Sequence, residues 1–160
     1  MERFLEWGVE SHAETEFDMR RNLIVLLLLI VYIAIFFSLA VLFRESSDKC
    51  SIRLELFKDF LEPGPDGFRD LFQNVVGFIP VGVLVGLLPR RHRVAKAILA
   101  GVLLSLAIEV SQLAWKKGVF DVNDLFNNAV GAVIGGIIAV FICRTPKRIA
   151  KRRLSLRGVE

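Results

Sequence analysis

The chain is poor in the residue types that form most zinc sites and disulfides. Its 160 residues include two cysteines, Cys50 and Cys143, and two histidines, His12 and His92. Zinc is held mainly by cysteine and histidine, and neither type occurs in the polar cluster described below, so we do not expect a zinc site. In the topology derived below, the two cysteines lie on opposite sides of a membrane, about 30 Å apart. A disulfide needs Cα atoms within about 7 Å, so an internal bridge is excluded.

Charge is also absent from long stretches of the chain. Residues 22–43, 71–89 and 125–143 contain no charged residue, and residues 97–115 contain only Glu109. A helix of about 20 residues crosses a hydrocarbon core of about 30 Å, and within lipid the backbone must satisfy its own hydrogen bonds. We therefore predict an all-α membrane protein. Its four transmembrane helices are expected at about 22–43, 71–89, 95–115 and 125–143.

One alternative concerns the first hydrophobic run. Ser38-Leu39-Ala40 is somewhat similar to a signal-peptidase site. The alternative is therefore that residues 22–40 are a cleaved signal peptide. The run is longer than a typical signal core, and the preceding segment is long and acidic. We therefore expect a retained membrane anchor.

The basic residues predict how the helices are oriented. With the N-terminus inside, fourteen of the twenty-one lysines and arginines lie on the cytoplasmic side, seven of them after Cys143. The other seven lie outside, among nine acidic residues. Cytoplasmic loops carry an excess of lysine and arginine, so we predict that both termini are cytoplasmic. The net charge of +4 follows from this topology and does not indicate a nucleic-acid partner. The basic tail instead suits anionic membrane lipids.

The chain divides into a cytoplasmic N-terminal segment at 1–21, expected to be flexible, a transmembrane domain at 22–143 and a basic cytoplasmic tail at 144–160. The longest connection is the first outer loop, residues 44–70. Its apolar residues follow helical spacing, which predicts a short amphipathic helix on the membrane surface. These residues are Ile52, Leu56, Phe57, Phe60 and Leu61. The alternative is a bare loop with some strand character, because the same stretch begins with the alternating sequence IRLEL.

Small residues four positions apart predict close packing of the last three helices, because they allow helix backbones to approach each other in lipid. The pairs are Gly82 with Gly86, Gly101 with Ser105, and Gly131 with Gly135. Helix one has no such pair and is expected at the periphery. Pro80 removes a backbone donor and is expected to kink helix two.

Polar residues interrupt three of the helices at one predicted depth, near the outer surface. They are Asp70 and Asn74 at the start of helix two, Glu109 and Gln112 at the end of helix three, and Asp124 and Asn128 at the start of helix four. The ordinary interpretation is that the aspartates are interfacial, with Asp124 capping a helix, and that the amides join helices. Glu109 favours a functional interpretation, because it lies within a span with no lysine or arginine in reach along its helix.

Three segments resemble the VanZ-like family of bacterial integral membrane proteins. They are DLFQNVVGFIPVG, IEVSQ and DVNDLFNNAVGAVIGG, and the resemblance covers about residues 70–136. The matching positions are Asp70, Asn74, Phe78, Ile79, Pro80 and Gly82, then Glu109 and Gln112, then Asp124, Asn128 and Gly131. The family commonly has an arginine six residues before the position of Asp124, where this chain has Gly118. Lys116 and Lys117 supply charge nearby, but not the bidentate geometry of arginine.

The resemblance implies a role in the cell envelope and a place in the bacterial cytoplasmic (inner) membrane. The family is named for a protein linked to low-level resistance to the glycopeptide antibiotic teicoplanin. The resemblance supplies no reaction.

Two functions from different classes follow from these residues. The first is a non-enzymatic envelope protein whose outward-facing polar pocket binds a lipid headgroup, a cell-wall precursor or a glycopeptide-like ligand, or docks a partner. The ligand-binding candidates are Asp70, Asn74, Glu109, Gln112, Asp124 and Asn128. The second is an intramembrane enzyme acting on a lipid-linked substrate. Its carboxylates would act as acid and base, or Glu109, Asp124 and Asp70 would hold a divalent cation such as Mg²⁺.

We favour the binding role, because no nucleophile–base pair is evident, and we predict no cofactor. An ion or proton pathway is the weakest alternative, because polar residues at one depth make a poor conduit.

Overall fold

The computed structural model describes residues 2–43, 51–55, 57, 65–88 and 91–156; side-chain surroundings are described for residues 18–43, 51–55, 57, 67–88 and 91–144. In chain order the elements are α1 (Glu2–Phe37), a π-helical turn (Ser38–Leu42), β1 (Ile52–Arg53), α2 (Pro65–Leu87), α3 (Arg93–Ala114), β2 (Phe120–Asp121) and α4 (Val122–Leu156). The predicted all-α membrane class is confirmed, with the two short strands as an addition.

In the part of the chain that the structure describes, four stretches are long and apolar enough to cross a membrane: Asp18–Leu42, Gly67–Leu87, Arg93–Ala114 and Val122–Arg144. Each corresponds to one predicted span, and the ends differ by four residues or fewer. Backbone groups in lipid have no water to bond to, so apolar composition alone determines where the chain must be helical.

Helix extends beyond the predicted membrane domain at both ends. The N-terminal segment is part of a helix, because α1 begins at Glu2 and is continuous into the first span; the flexibility expected of this segment stays a prediction. At the other end, α4 continues through the basic tail to Leu156. Adding a residue to an existing helix costs far less than nucleating a new one, so a long membrane helix readily extends into polar sequence.

Glycines bring α2 and α4 into backbone contact, as predicted. A Cβ atom added to Gly131 would collide with the carbonyl oxygen of Val75, and one added to Gly135 would collide with that of Ile79. Contacts this close let α2 and α4 pack along most of the membrane thickness. The chain continues as helix through Pro80.

Helix α1 lies at the periphery, also as predicted. Buried residues make up 11% of its apolar stretch, against 39% for that of α4. Its contacts with the bundle are specific: the Tyr32 hydroxyl donates to the carbonyl of Gly77 (2.8 Å), and the Phe36 ring meets the Phe78 ring edge-on at 5.4 Å. Together with the buried side chain of Val41, these contacts make α1 an integral part of the fold.

The first outer loop begins as a strand. Ile52 and Arg53 form a short parallel strand pair with Phe120 and Asp121. At these two residues, where the predicted amphipathic helix would begin, the structure has the strand character of the alternative interpretation. Residues 56 and 58–64, on which the rest of that helix falls, lie outside the described residues, as does Cys50. Cys143 is a free thiol.

We predict that Gly131→Val destabilises the bundle by about 1–3 kcal/mol, because the new side chain forces α4 away from α2. The measurement is thermal unfolding in detergent, followed by circular dichroism. The control, Ala107→Val, adds similar bulk at an exposed position of α3. It is expected to leave the midpoint temperature of unfolding unchanged. Equal midpoints for the two variants would contradict the glycine contact.

Candidate functional site

Three helices join their polar side chains at one end of the bundle, where α2 and α4 begin and α3 ends. The amide of Asn74 donates to the carboxylate of Asp124 (2.5 Å), which links α2 to α4. The amide of Asn128 donates to the hydroxyl of Ser105 (2.7 Å), which links α4 to α3. The predicted convergence of polar residues is therefore built from direct hydrogen bonds between helices.

Glu109 is buried at this end, with 2% of its surface exposed. Its Oε2 accepts the backbone N–H of Asp121 at 2.9 Å. Asp121 also caps α4, because its Oδ1 accepts the N–H of Asn123 (2.9 Å) just inside the helix start. In the ordinary interpretation Asp124 was the cap. Asp124 lies three residues further along the chain, in the first turn of α4, and accepts a hydrogen bond from Asn74 instead.

The first outer loop is attached to the same place. A guanidinium nitrogen of Arg53 lies 3.1 Å from Oδ2 of Asp121. Asn123 donates to the carbonyl of Glu55 (2.8 Å) and accepts the N–H of Phe57 (2.6 Å). Phe57 has a positive φ of 67°, and its ring meets that of Phe126 edge-on at 5.1 Å. The loop is thus fastened to the start of α4, directly beside the residue that bonds Glu109.

All six candidate residues line the same cavity, which has a volume of about 640 Å³. We call it the polar cavity. Its full lining is Phe36, Leu39, Ala40, Asp70, Phe72, Gln73, Asn74, Val76, Gly77, Phe78, Ile108, Glu109, Gln112, Asp124 and Asn128. Small-molecule sites commonly occupy about 300–1,000 Å³, have mainly apolar walls and contain a few placed polar groups.

The lining residues divide by depth. Five are buried and form the inner part of the polar cavity: Phe78, Ile108, Glu109, Gln112 and Asn128. Five others are exposed and form its rim: Leu39, Asp70, Phe72, Gln73 and Val76. The amides of Gln112 and Asn128 and the carboxylate of Glu109 therefore lie at the inner end, while the carboxylate of Asp70 lies at the edge.

Two buried acceptor oxygens in the polar cavity have no hydrogen-bond partner among the described residues. They are Oε1 of Gln112 and Oδ1 of Asn128, whose side chains are 3% and 4% exposed. The other end of each amide is engaged: Gln112 donates to the carbonyl of Ala40 (2.9 Å) and Asn128 donates to Ser105. Leaving such an oxygen unsatisfied costs about 1–3 kcal/mol, so each of the two is a candidate acceptor for a donor from water or a ligand.

Asp70, Glu109 and Asp124 are not grouped as metal ligands among the described residues. In the part of the chain that the structure describes, no group of three or more histidine, cysteine, aspartate and glutamate side chains is arranged to hold a metal ion. Asp70, Glu109 and Asp124 line one cavity, but from separate helices and at different depths.

Three residues of the site were not recognised from the sequence: Arg53, Asp121 and Asn123. The D-V-N stretch at a helix start is a signal for the cap, because aspartate there commonly bonds the N–H two residues on. Arg53 carries no local signal, because its partner is 68 positions away. Gly118, which occupies the position of the family's usual arginine, is buried, and the Arg53 guanidinium pairs with Asp121, whose backbone N–H bonds Glu109.

Comparison with known proteins places these features in a family. The family model VanZ/LLP1 matches residues 23–144, which is most of the chain. The chain belongs to the VanZ/LLP1 family. One relative is Protein VanZ of Enterococcus faecium, 33% identical over 75 residues, which cover 42% of this chain and 42% of that protein. The chain therefore matches less than half of that relative's length. No solved structure matches the chain.

With four candidate spans, this member of the VanZ/LLP1 family is a multi-pass membrane protein. The family match includes α1 from residue 23 onward, the π-helical turn and the loop that follows it, together with the membrane-spanning parts of the three helices that carry the polar motifs. The resemblance identified from the sequence over about residues 70–136 is thereby confirmed and extended.

We predict that Asp121→Ala lowers the free energy of unfolding by about 1 kcal/mol or more, because α4 loses its cap and Arg53 loses its partner. Asp121→Asn keeps an acceptor for the cap and should retain most of the stability. Thermal unfolding in detergent measures both. Asp18→Ala removes a partly exposed carboxylate that pairs with the exposed Arg21 and should cost less than about 1 kcal/mol. A smaller effect for Asp121→Ala than for Asp18→Ala would contradict this account.

Proposed function

We propose that this chain is an accessory envelope protein of the bacterial cytoplasmic membrane, and that its polar cavity binds the headgroup of a lipid or of a lipid-linked cell-wall precursor. The observation that carries the proposal is the lining of one cavity by all six polar candidates, with two buried acceptor oxygens left for a ligand. Binding is favoured over chemistry because the innermost groups include two neutral amides. Amides hold and orient a ligand, but they do not transfer protons at neutral pH.

The orientation belongs to the same proposal. With both termini cytoplasmic, the polar cavity lies at the outer end of the bundle. Envelope precursors and glycopeptide antibiotics meet the cytoplasmic membrane on that side. A protein that binds headgroups there is placed to change antibiotic susceptibility without carrying out a reaction. The family relation to Protein VanZ supports a role of this kind.

Glu109 provides the test. We expect that producing the wild-type chain in a susceptible bacterium raises the inhibitory concentration of teicoplanin, and that Glu109→Gln abolishes the increase. Glutamine retains an oxygen that can accept the N–H of Asp121, so the fold is preserved while the charge at the cavity is lost. The inhibitory concentration is measured in parallel with membrane protein level and thermal midpoint.

The matched control is Glu55→Gln, which makes the same change at an exposed side chain outside the cavity. It should behave as wild type. If Glu109→Gln raises the inhibitory concentration of teicoplanin as much as the wild-type chain does, a role for the cavity carboxylate is contradicted. An unchanged inhibitory concentration with the wild-type chain would contradict the resistance role itself.

A further inference from the structure

We propose that the polar cavity binds the primary ammonium group of a membrane lipid. This rests on the proposed function, because it specifies the ligand of the same cavity. The two unpartnered oxygens, Gln112 Oε1 and Asn128 Oδ1, are acceptors, so the ligand that satisfies them must donate N–H or O–H. A phosphate diester or a quaternary ammonium has no such hydrogen and leaves both oxygens unsatisfied.

The charges of the lining select a cation among the possible donors. Asp70, Glu109 and Asp124 contribute carboxylates, and the fifteen lining residues include no lysine, arginine or histidine. The nearby guanidinium of Arg53 is paired with Asp121, which is not one of the lining residues. An anionic ligand would therefore bring its charge into a negative, weakly hydrated site, whereas an ammonium is stabilised there.

The number of donors on an ammonium matches the number of groups available. It presents three N–H donors around one centre, and the inner part of the cavity offers two amide oxygens together with the carboxylate of Glu109. Phe36, Phe72 and Phe78 form aromatic walls, and aromatic faces attract cations through their quadrupole. A sugar hydroxyl would satisfy the oxygens but would gain nothing from the carboxylate charge.

The rim indicates that the ligand enters from the lipid. Leu39 of the π-helical turn and Phe72 and Val76 of α2 line the cavity and are 61%, 57% and 43% exposed. In a membrane-spanning bundle, exposed apolar side chains of this kind lie against acyl chains. A ligand with an apolar chain at this rim and a polar group inside fits both surfaces. A soluble amine fits only the inner one.

The test uses the full chain purified in a neutral detergent and titrated with three lipids that share the same acyl chains. Binding is followed by native mass spectrometry. Phosphatidylethanolamine carries a primary ammonium, phosphatidylcholine a quaternary one, and phosphatidylglycerol none. We expect phosphatidylethanolamine to bind about tenfold or more tightly than the other two, because it alone donates N–H bonds to the buried oxygens.

Asn128 supplies a matched set of variants. Asn128→Leu removes one acceptor and should abolish the preference, whereas Asn128→Asp keeps oxygens at the same place and should retain it. Asn127→Leu is the control, because Asn127 is an equally buried amide on the same helix that does not line the cavity. It should preserve the preference. The comparison of lipids on the wild-type chain needs no variant and stands even if Asn128→Leu fails to fold.

Equal affinity of the wild-type chain for the three lipids would overturn the proposal, as would loss of the preference in Asn127→Leu and Asn128→Leu alike. Displacement of the lipid by soluble ethanolamine at equal concentration would overturn entry from the membrane.

The two proposals fail separately. Equal lipid binding with a teicoplanin effect that depends on Glu109 rejects the ammonium ligand only. Lipid preference without any teicoplanin effect rejects the resistance role only.

Discussion

The backbone contact between α2 and α4 is the constraint on which the rest of the structure depends. Gly131 and Gly135 leave no room for a side chain between the helices, so the relative height of α2 and α4 cannot vary by a fraction of a turn. That fixed height brings Asn74 opposite Asp124. The same close packing places Ala132 of α4 against Gly101 of α3, with Ala132 Cβ 2.5 Å from where a Cβ of Gly101 would lie. A polar layer that joins three helices is possible because the apolar contacts below it leave little freedom.

Most of the membrane fold is predictable from the chain because lipid imposes a simple physical requirement. Any apolar run of sufficient length must be helical, so the four spans follow from composition. The convergence of Asp70, Glu109 and Asp124 also follows, because an antiparallel sequence of spans places their helix ends on one side. The helix cap was expected at Asp124, whereas Asp121, three residues earlier, caps α4. The strand pair and the Arg53 contact join segments 68 positions apart, and no local pattern in a single sequence encodes such a pairing.

The site combines features that are usually separate in membrane proteins. Polar residues within a span are costly, and most are stabilised by bonding to one another. Here Asn74, Asp124, Ser105 and part of Asn128 are used in that way. The remaining oxygens of Gln112 and Asn128 are not. In the proposed function these two oxygens are the acceptors for a ligand, whereas the bonded groups join the helices.

The hydrogen bonds of α3 and α4 also bear on how the chain enters the bilayer. Two hydrogen bonds form within one helical hairpin, from the N–H of Asp121 to Glu109 and from Asn128 to Ser105. These two bonds do not require any other helix. Inserted as a pair, α3 and α4 avoid the full penalty that each would meet alone. The α2 helix adds the bond from Asn74 to Asp124 to this hairpin, so the third helix of the polar layer meets an acceptor on α4.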